Sequence, residues 1–104
     1  MKQMTFEDFL AVRDARDWRL IDVREQDEWD EVHVKGTELF PLSRLRDGAI
    51  PETDDRPVAL ICRSGARSAM AAQILEGAGW AEVINISDGT LGAIATGEEH
   101  LERG

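Results

Sequence analysis

The chain has 104 residues, of which 42% are hydrophobic, and this composition fits one folded domain with a modest core rather than a disordered segment. Acidic residues outnumber basic ones by 21 to 12, so the formal net charge is −9. A surface this negative repels the phosphates of nucleic acids and anionic membranes, and it argues against both as partners.

The amino-terminal half of the chain shows short alternating patterns of helix and strand. Thr5-Phe6-Glu7-Asp8 is typical of a helix start, and Pro41 interrupts a short apolar run. The predicted elements, in order, are a helix from residue 5 to 13, a strand at 20–23, a helix with an acidic start at 25–31, an edge strand at 39–42 and one helical turn at 43–46.

The second half repeats the alternation around a more apolar strand. Val58–Ile61 is apolar throughout, which predicts a central strand buried on both faces. After it we expect a helix over residues 66–78, a strand at 82–86, a helical stretch around 91–94 and a polar, frayed tail at 96–104. The buried face of the long helix is predicted to consist of Met70, Ala71, Ile74, Leu75 and Ala78.

These repeated β-α units predict an α/β fold with a mostly parallel sheet covered by helices on both faces. We interpret residues 1–104 as a single domain, since the sequence has no internal repeat and no low-complexity segment. In such sheets, ligands bind beyond the carboxyl ends of the strands. Cys62 directly follows the predicted central strand, so it is placed at that edge.

The stretch from Cys62 to Ser68 carries the strongest chemical signal. The thiol faces the predicted amino terminus of a helix, where main-chain N–H groups lack intrahelical partners and the helix dipole adds positive charge. A thiolate there is stabilised, and its pKa falls below the free value of about 8.5. The loop is therefore a candidate anion cradle that also holds a nucleophile.

The alternative is that Cys62 is an ordinary core residue without a chemical role, because free cysteine is among the most buried residue types. The flanking residues argue against it. Arg63 and Arg67 bring fixed positive charge, and Gly65 permits a tight backbone. Two arginines beside a thiol suit a thiolate and an anionic substrate better than a core position.

The cysteine content and the first residues of the chain indicate the cellular compartment that we expect for the protein. Cys62 is the only cysteine, so no internal disulfide can form, which suits a reducing environment. Met1-Lys2-Gln3-Met4 does not begin an apolar signal peptide, and no apolar run approaches the roughly 20 residues of a membrane span. We therefore expect a cytoplasmic protein.

Four motifs give the chain a resemblance to single-domain rhodaneses, a family of sulfurtransferases. The loop from Cys62 to Ser68 is similar to the family's CRSGxRS active loop and is the most specific of the four. The other three lie at residues 20–29, 33–36 and 78–89. The resemblance implies a five-stranded, largely parallel sheet and transfer of a sulfane sulfur through a cysteine persulfide.

The expected chemistry needs a cysteine nucleophile and an anion cradle. Cys62 would take sulfur from thiosulfate, polysulfide or a persulfide donor and pass it to a thiol acceptor, which could belong to a partner protein, or to cyanide. No cofactor is implied, and neither histidine lies in a pattern of metal ligands, so no metal site is predicted. The candidate substrate-binding residues are Arg63, Ser64, Gly65, Ala66, Arg67 and Ser68.

Two other functions remain open from the sequence. Tyrosine phosphatases use a C-x5-R loop around a tetrahedral phosphate, whereas the spacing from Cys62 to Arg67 is C-x4-R. The shorter loop makes a phosphatase or arsenate reductase the weaker interpretation. The second alternative is a binding module on the same scaffold, in which Cys62 is a redox-sensing or idle thiol.

Asp22 and Arg24 are candidate supporting residues, because they follow a predicted parallel strand and so share a rim with Cys62. Arg24 either lends charge to the site or forms an ion pair with Glu28. For Asp22 we expect hydrogen bonds to loop amides rather than catalysis, since a carboxylate beside the thiol would oppose its ionisation. His33 is predicted to make a structural hydrogen bond.

Overall fold

A computed structural model describes residues 1–104 as seven strands and five α-helices, with one turn of 3-10 helix near the end. The strands are Lys2–Met4 (β1), Arg19–Asp22 (β2), Val32–Val34 (β3), Thr37–Leu39 (β4), Val58–Ile61 (β5), Val83–Ile86 (β6) and Leu101–Arg103 (β7). The helices are Phe6–Arg13 (α1), Gln26–Glu31 (α2), Leu42–Arg46 (α3), Ala66–Gly77 (α4) and Gly89–Thr96 (α5). No candidate for a membrane-spanning helix is found among them.

Five of the strands form a fully parallel sheet in the order β1-β6-β5-β2-β4. β5 lies at the centre, where Leu60 pairs with Ile21 of β2 on one side and Asn85 of β6 on the other. Every residue of β5 is buried, as its unbroken apolar sequence predicts. The predicted α/β fold with helices on both faces is confirmed.

The core is divided by the sheet into two layers, because successive side chains of a strand point to opposite faces. Ala59 and Ile61 of β5 belong to a cluster with residues of α1 and α5. Val58, Leu60 and the following Cys62 belong to a second cluster with residues of α3 and α4. The thiol therefore lies on the α4 side of the sheet.

Several element boundaries differ from the prediction. The edge strand β4 covers residues 37–39 rather than 39–42, and Pro41 precedes the first turn of α3 instead of ending a strand. β1 is not predicted at all, since three residues carry too little pattern. On α4 the predicted face is partly wrong, because Met70 and Ala78 are exposed, while the fully buried residues are Ser68, Ala71, Ala72 and Leu75.

The expectation of a frayed tail is also wrong. β7 pairs antiparallel with β3, and its first residue, Leu101, is only 6% exposed. The main-chain N–H of Lys35 donates to the carbonyl of His100, and that of Gly104 donates to the carbonyl of Glu31. The edge of β3 provides main-chain hydrogen-bond partners that hold this polar segment in place. The local sequence of the tail cannot reveal those partners.

Replacing Leu101 with alanine is expected to lower the free energy of unfolding by about 2–3 kcal/mol, because it leaves a cavity where the tail meets the core. Leu91 is the matched control, since it is 43% exposed and its truncation is expected to cost about 0.5 kcal/mol or less. Urea unfolding followed by tryptophan fluorescence measures both variants. Equal stability of the two variants would show that the tail is not part of the cooperative fold.

Candidate active site

Cys62 lies directly after β5 and is 1% exposed. Although its side chain belongs to the core cluster on the α4 side of the sheet, its sulfur has polar neighbours. The main-chain N–H of Gly65 points at Sγ with an N–S distance of 3.1 Å, and the Ser68 hydroxyl oxygen lies 3.3 Å from Sγ. The sulfur is thus enclosed by hydrogen-bond donors and not only by hydrocarbon.

These contacts favour the thiolate. Burial by itself raises the pKa of the Cys62 thiol. The Ser68 hydroxyl lowers it, and so do the main-chain N–H groups of Ser68, Ser64 and Gly65. The hydrogen bonds outweigh burial, so the pKa of the thiol lies below its ordinary value, as the sequence predicts.

The start of α5 explains why the loop presents amides to the sulfur. The N–H of Thr90 donates to the Cys62 carbonyl at 2.8 Å, and the N–H of Leu91 donates to the Arg63 carbonyl at 3.1 Å. The Thr90 hydroxyl donates to the Cys62 carbonyl as well. Gly89 is required here, because its φ is +57° and a Cβ would collide with both carbonyl oxygens.

Gly65 makes the second close approach. Its φ is +97°, which favours glycine, and a Cβ at this position would collide with the carbonyl oxygen of Ser87 just beyond β6. Gly65 therefore lets the loop pack against the end of β6 while its own N–H faces the thiol. The predicted role of this glycine in a tight backbone agrees with the geometry.

Arg67 lies in the first turn of α4 and forms two hydrogen bonds with the Glu28 carboxylate of α2, at 2.6 and 2.8 Å. This pairing holds the pKa of Glu28 below its usual range. It raises the pKa of Arg67, to which the nearby Cys62 thiolate also contributes. Arg67 thus adds positive charge near the sulfur, but its guanidinium is held by a carboxylate.

Arg63 differs from Arg67 in having no carboxylate partner. With Ser64 and Ala66 it forms the exposed part of the loop. Arg63 also borders a cleft of about 330 Å³ between α2, α5 and the tail. The cleft is lined by Arg24, Glu28, Glu31, Val32, Arg63, Thr90, Leu91, Ile94 and Arg103.

Asp22 and Arg24 form a buried pair with each other, which corrects two expectations. The Arg24 guanidinium lies 2.8 Å from the Asp22 carboxylate and donates to the Val32 carbonyl, so Arg24 does not pair with Glu28. Asp22 accepts from the main-chain N–H of Arg24 and not from the amides of the Cys62 loop. The pair ties the end of β2 to the start of β3.

His33 makes the predicted structural contact. Its Nδ1 lies 2.9 Å from the Trp29 carbonyl oxygen, and its ring stacks on the Trp29 ring with the centroids 3.7 Å apart. Trp29 lies in α2 and His33 in β3, so this contact shapes the scaffold next to the cleft and not the thiol loop itself.

Sequence reasoning missed Asn85, Gly89 and Thr90 as parts of the site. Asn85 is 1% exposed and hydrogen-bonds both Ser68 and Gly65 of the loop. Its signal is visible in the sequence, since it is the only polar residue of an otherwise apolar strand. Thr90 gives no such signal, because its contact with Cys62 spans 28 positions.

The profile of the rhodanese-like domain matches residues 5–94, which include the thiol loop and the start of α5 that supports it. The chain belongs to the rhodanese-like domain family. The rhodanese-like domain protein of Staphylococcus aureus has the same fold, with a TM-score of 0.81 and 24% identity over 100% of this chain and 99% of that one.

Three curated relatives show how far the likeness extends. The uncharacterized protein YqhL of Bacillus subtilis is 39% identical over 86% of this chain and 69% of its own length. The thiosulfate sulfurtransferase GlpE of Coxiella burnetii is 30% identical over 71% of this chain and 69% of its own length. The probable adenylyltransferase/sulfurtransferase MoeZ of Mycobacterium tuberculosis is 36% identical over 77% of this chain, but the chain spans only 23% of that protein.

Replacing Ser68 with alanine is expected to raise the pKa of the Cys62 thiol by about one unit, because a hydrogen bond to the thiolate is lost. Alkylation by iodoacetamide rises with pH as the thiolate forms, so its profile should move to higher pH in this variant. Ser43→Ala is the control, since that hydroxyl bonds the Glu25 carboxylate instead. Superimposable profiles for Ser68→Ala and the wild type would contradict the role of the hydroxyl.

Proposed function

We propose that the protein is a sulfurtransferase that carries a sulfane sulfur as a persulfide on Cys62. The observation that supports this most directly is a thiol of lowered pKa, facing the N–H of Gly65 and the hydroxyl of Ser68. Relatives named as sulfurtransferases support the same chemistry. The proposed catalytic residue is Cys62, and residues 63–68 are the proposed substrate-binding loop.

The reaction divides into two displacements at sulfur. The Cys62 thiolate attacks the outer sulfur of thiosulfate, a new S–S bond forms, and the old S–S bond breaks with its electron pair leaving on sulfite. An acceptor thiolate then attacks the outer sulfur of the persulfide, and the Cys62 thiolate leaves. Each step replaces one S–S bond with another and leaves the total charge unchanged, so this covalent catalysis needs neither an oxidant nor a general acid.

The same donors serve both halves of the reaction. Main-chain N–H groups of the loop stabilise the thiolate before the first attack and when it leaves in the second. Since these groups are held by the backbone, they need no reorganisation as charge moves on and off Cys62. This is the advantage of a loop whose carbonyls are already bound by α5.

The proposed donor is a small anion such as thiosulfate or polysulfide, and a persulfide is also a candidate. Cys62 is 1% exposed, so a bulky donor has little access to its sulfur. The unpaired Arg63 at the adjoining cleft supplies positive charge on a chain whose net charge is −9. The proposed acceptor is a thiol, which could belong to another protein, and the proposed location is the cytoplasm.

Incubation of the reduced protein with thiosulfate, followed by desalting and intact mass spectrometry, is expected to add the mass of one sulfur atom. Cyanide should then remove that mass and yield thiocyanate. Cys62→Ser is the control and should gain nothing. A wild-type protein that keeps its mass with thiosulfate, polysulfide and a persulfide donor would instead favour a binding or redox-sensing module.

Arg63→Ala is expected to raise the KM for thiosulfate about threefold with little change in kcat, because an exposed charge acts mainly on the encounter with an anion. Arg56→Ala is the matched control. Arg56 precedes β5 and therefore lies at the amino-terminal end of the strands, opposite the Cys62 loop, where it is paired with Asp54. Steady-state kinetics at low ionic strength measures the KM of both variants. An equal KM in the two variants would show that Arg63 does not take part in donor binding.

A further inference from the structure

Asn85 is a buried polar residue that the proposed reaction does not yet use. It lies in β6, next to the central strand, and is 1% exposed. Its amide contacts the Ser68 hydroxyl and the Gly65 carbonyl, and on the other side the Gln3 side chain of β1. Asn85 thus touches two loop residues that in turn touch the Cys62 sulfur.

The hydrogen-bond partners decide which way this amide points. The Gly65 carbonyl oxygen only accepts, so the amide nitrogen of Asn85 must face it, and the two atoms lie 3.0 Å apart. The same nitrogen donates to Gln3 at 3.3 Å. The amide oxygen of Asn85 is therefore directed at the Ser68 hydroxyl and accepts its proton.

The Ser68 hydroxyl has one proton and three acceptors within reach. They are the amide oxygen of Asn85, the carbonyl oxygen of Gly65 at 3.2 Å and the sulfur of Cys62 at 3.3 Å. The amide oxygen of Asn85 and the sulfur of Cys62 are therefore competing acceptors for the same proton. A neutral thiol can donate to the Ser68 oxygen, whereas a thiolate needs the Ser68 proton for itself.

We propose that Asn85 is a positioning residue, which holds the Ser68 hydroxyl while the Cys62 sulfur is neutral and releases it when that sulfur is charged. The inference rests on the proposed function, in which Cys62 alternates between two states. In the free thiolate the charge is on Sγ, and Ser68 donates to it. In the persulfide the charge lies on the outer sulfur, and Ser68 returns to Asn85.

Asn85 and the Cys62 thiolate therefore compete for the Ser68 proton, and this competition adjusts the pKa of the thiol. Because Asn85 binds the same proton that the thiolate needs, it keeps the pKa of Cys62 from falling as far as the loop alone would lower it. A moderately lowered pKa suits this chemistry, because a thiolate loses nucleophilicity as its pKa falls but leaves more readily. Asn85 is thus expected to favour attack on the donor and to slow departure of the thiolate.

A double-mutant cycle tests whether Asn85 acts through Ser68. The pKa of Cys62 is titrated by the ultraviolet absorbance of the thiolate in the wild type, Asn85→Ala, Ser68→Ala and the double variant. Asn85→Ala is expected to lower the thiol pKa by about 0.5–1 unit in the wild-type background. In the Ser68→Ala background its effect should disappear, because interacting residues are not additive.

Gln3→Ala is the matched control, since it removes the other partner of the Asn85 amide without touching the loop, and the thiol pKa should stay the same. The charged groups near the thiol, Arg67 with Glu28 and Asp22 with Arg24, are unchanged in every variant. A pKa that does not fall in Asn85→Ala, or a fall of equal size in both backgrounds, overturns the proposal.

Asn85→Asp provides a second variant of nearly the same volume, for use if alanine unfolds the domain. A carboxylate accepts the Ser68 proton more strongly, so the thiol pKa should rise, and it should rise less in the Ser68→Ala background. Equal rises overturn the proposal. The titration needs no sulfur donor, so a protein that forms no persulfide but shows the expected cycle refutes sulfur transfer and not the role of Asn85.

Discussion

The geometry of the thiol site depends on the hydrogen bonds between the start of α5 and the carbonyls of the Cys62 loop. In a planar trans peptide the C=O and the N–H point in opposite directions. When Leu91 binds the carbonyl of Arg63, the N–H of Ser64 in the same peptide is turned the other way, to the side where it lowers the pKa of the thiol. Gly89 makes this approach possible because it has no Cβ.

The positive charge that the loop offers to a ligand depends on which arginines are held in ion pairs and not on the number of basic residues. Arg24 and Arg67 are both held by carboxylates, Arg24 in a buried pair with Asp22 and Arg67 in a half-buried one with Glu28. These pairs brace the carboxyl edge of the sheet and limit what either arginine offers to a ligand. Arg63 keeps its charge available, so two arginines that look equivalent in sequence have different surroundings.

Much of the fold could be predicted from residue patterns because those patterns are local. The apolar run of β5 and the helical spacing after Gly65 place Cys62 at a strand end before a helix, which is where it lies. The tail could not be predicted, because its polar residues are held by pairing with β3, some 70 positions earlier. The partners of Arg24 and Arg67 could not be predicted either, because each arginine has several carboxylates at sequence distances similar to that of its actual partner.

Residue patterns alone are enough to establish the fold family, the single thiol and the short loop of arginine, glycine and serine around it. These depend on residue type and spacing along a few consecutive positions. The three-dimensional arrangement is needed to establish that α5 holds the loop carbonyls, that Arg67 binds Glu28 and that Asn85 contacts Ser68. Each of these contacts joins segments far apart in the chain, and their partners are chosen by the packing of strands and helices at one edge of the sheet.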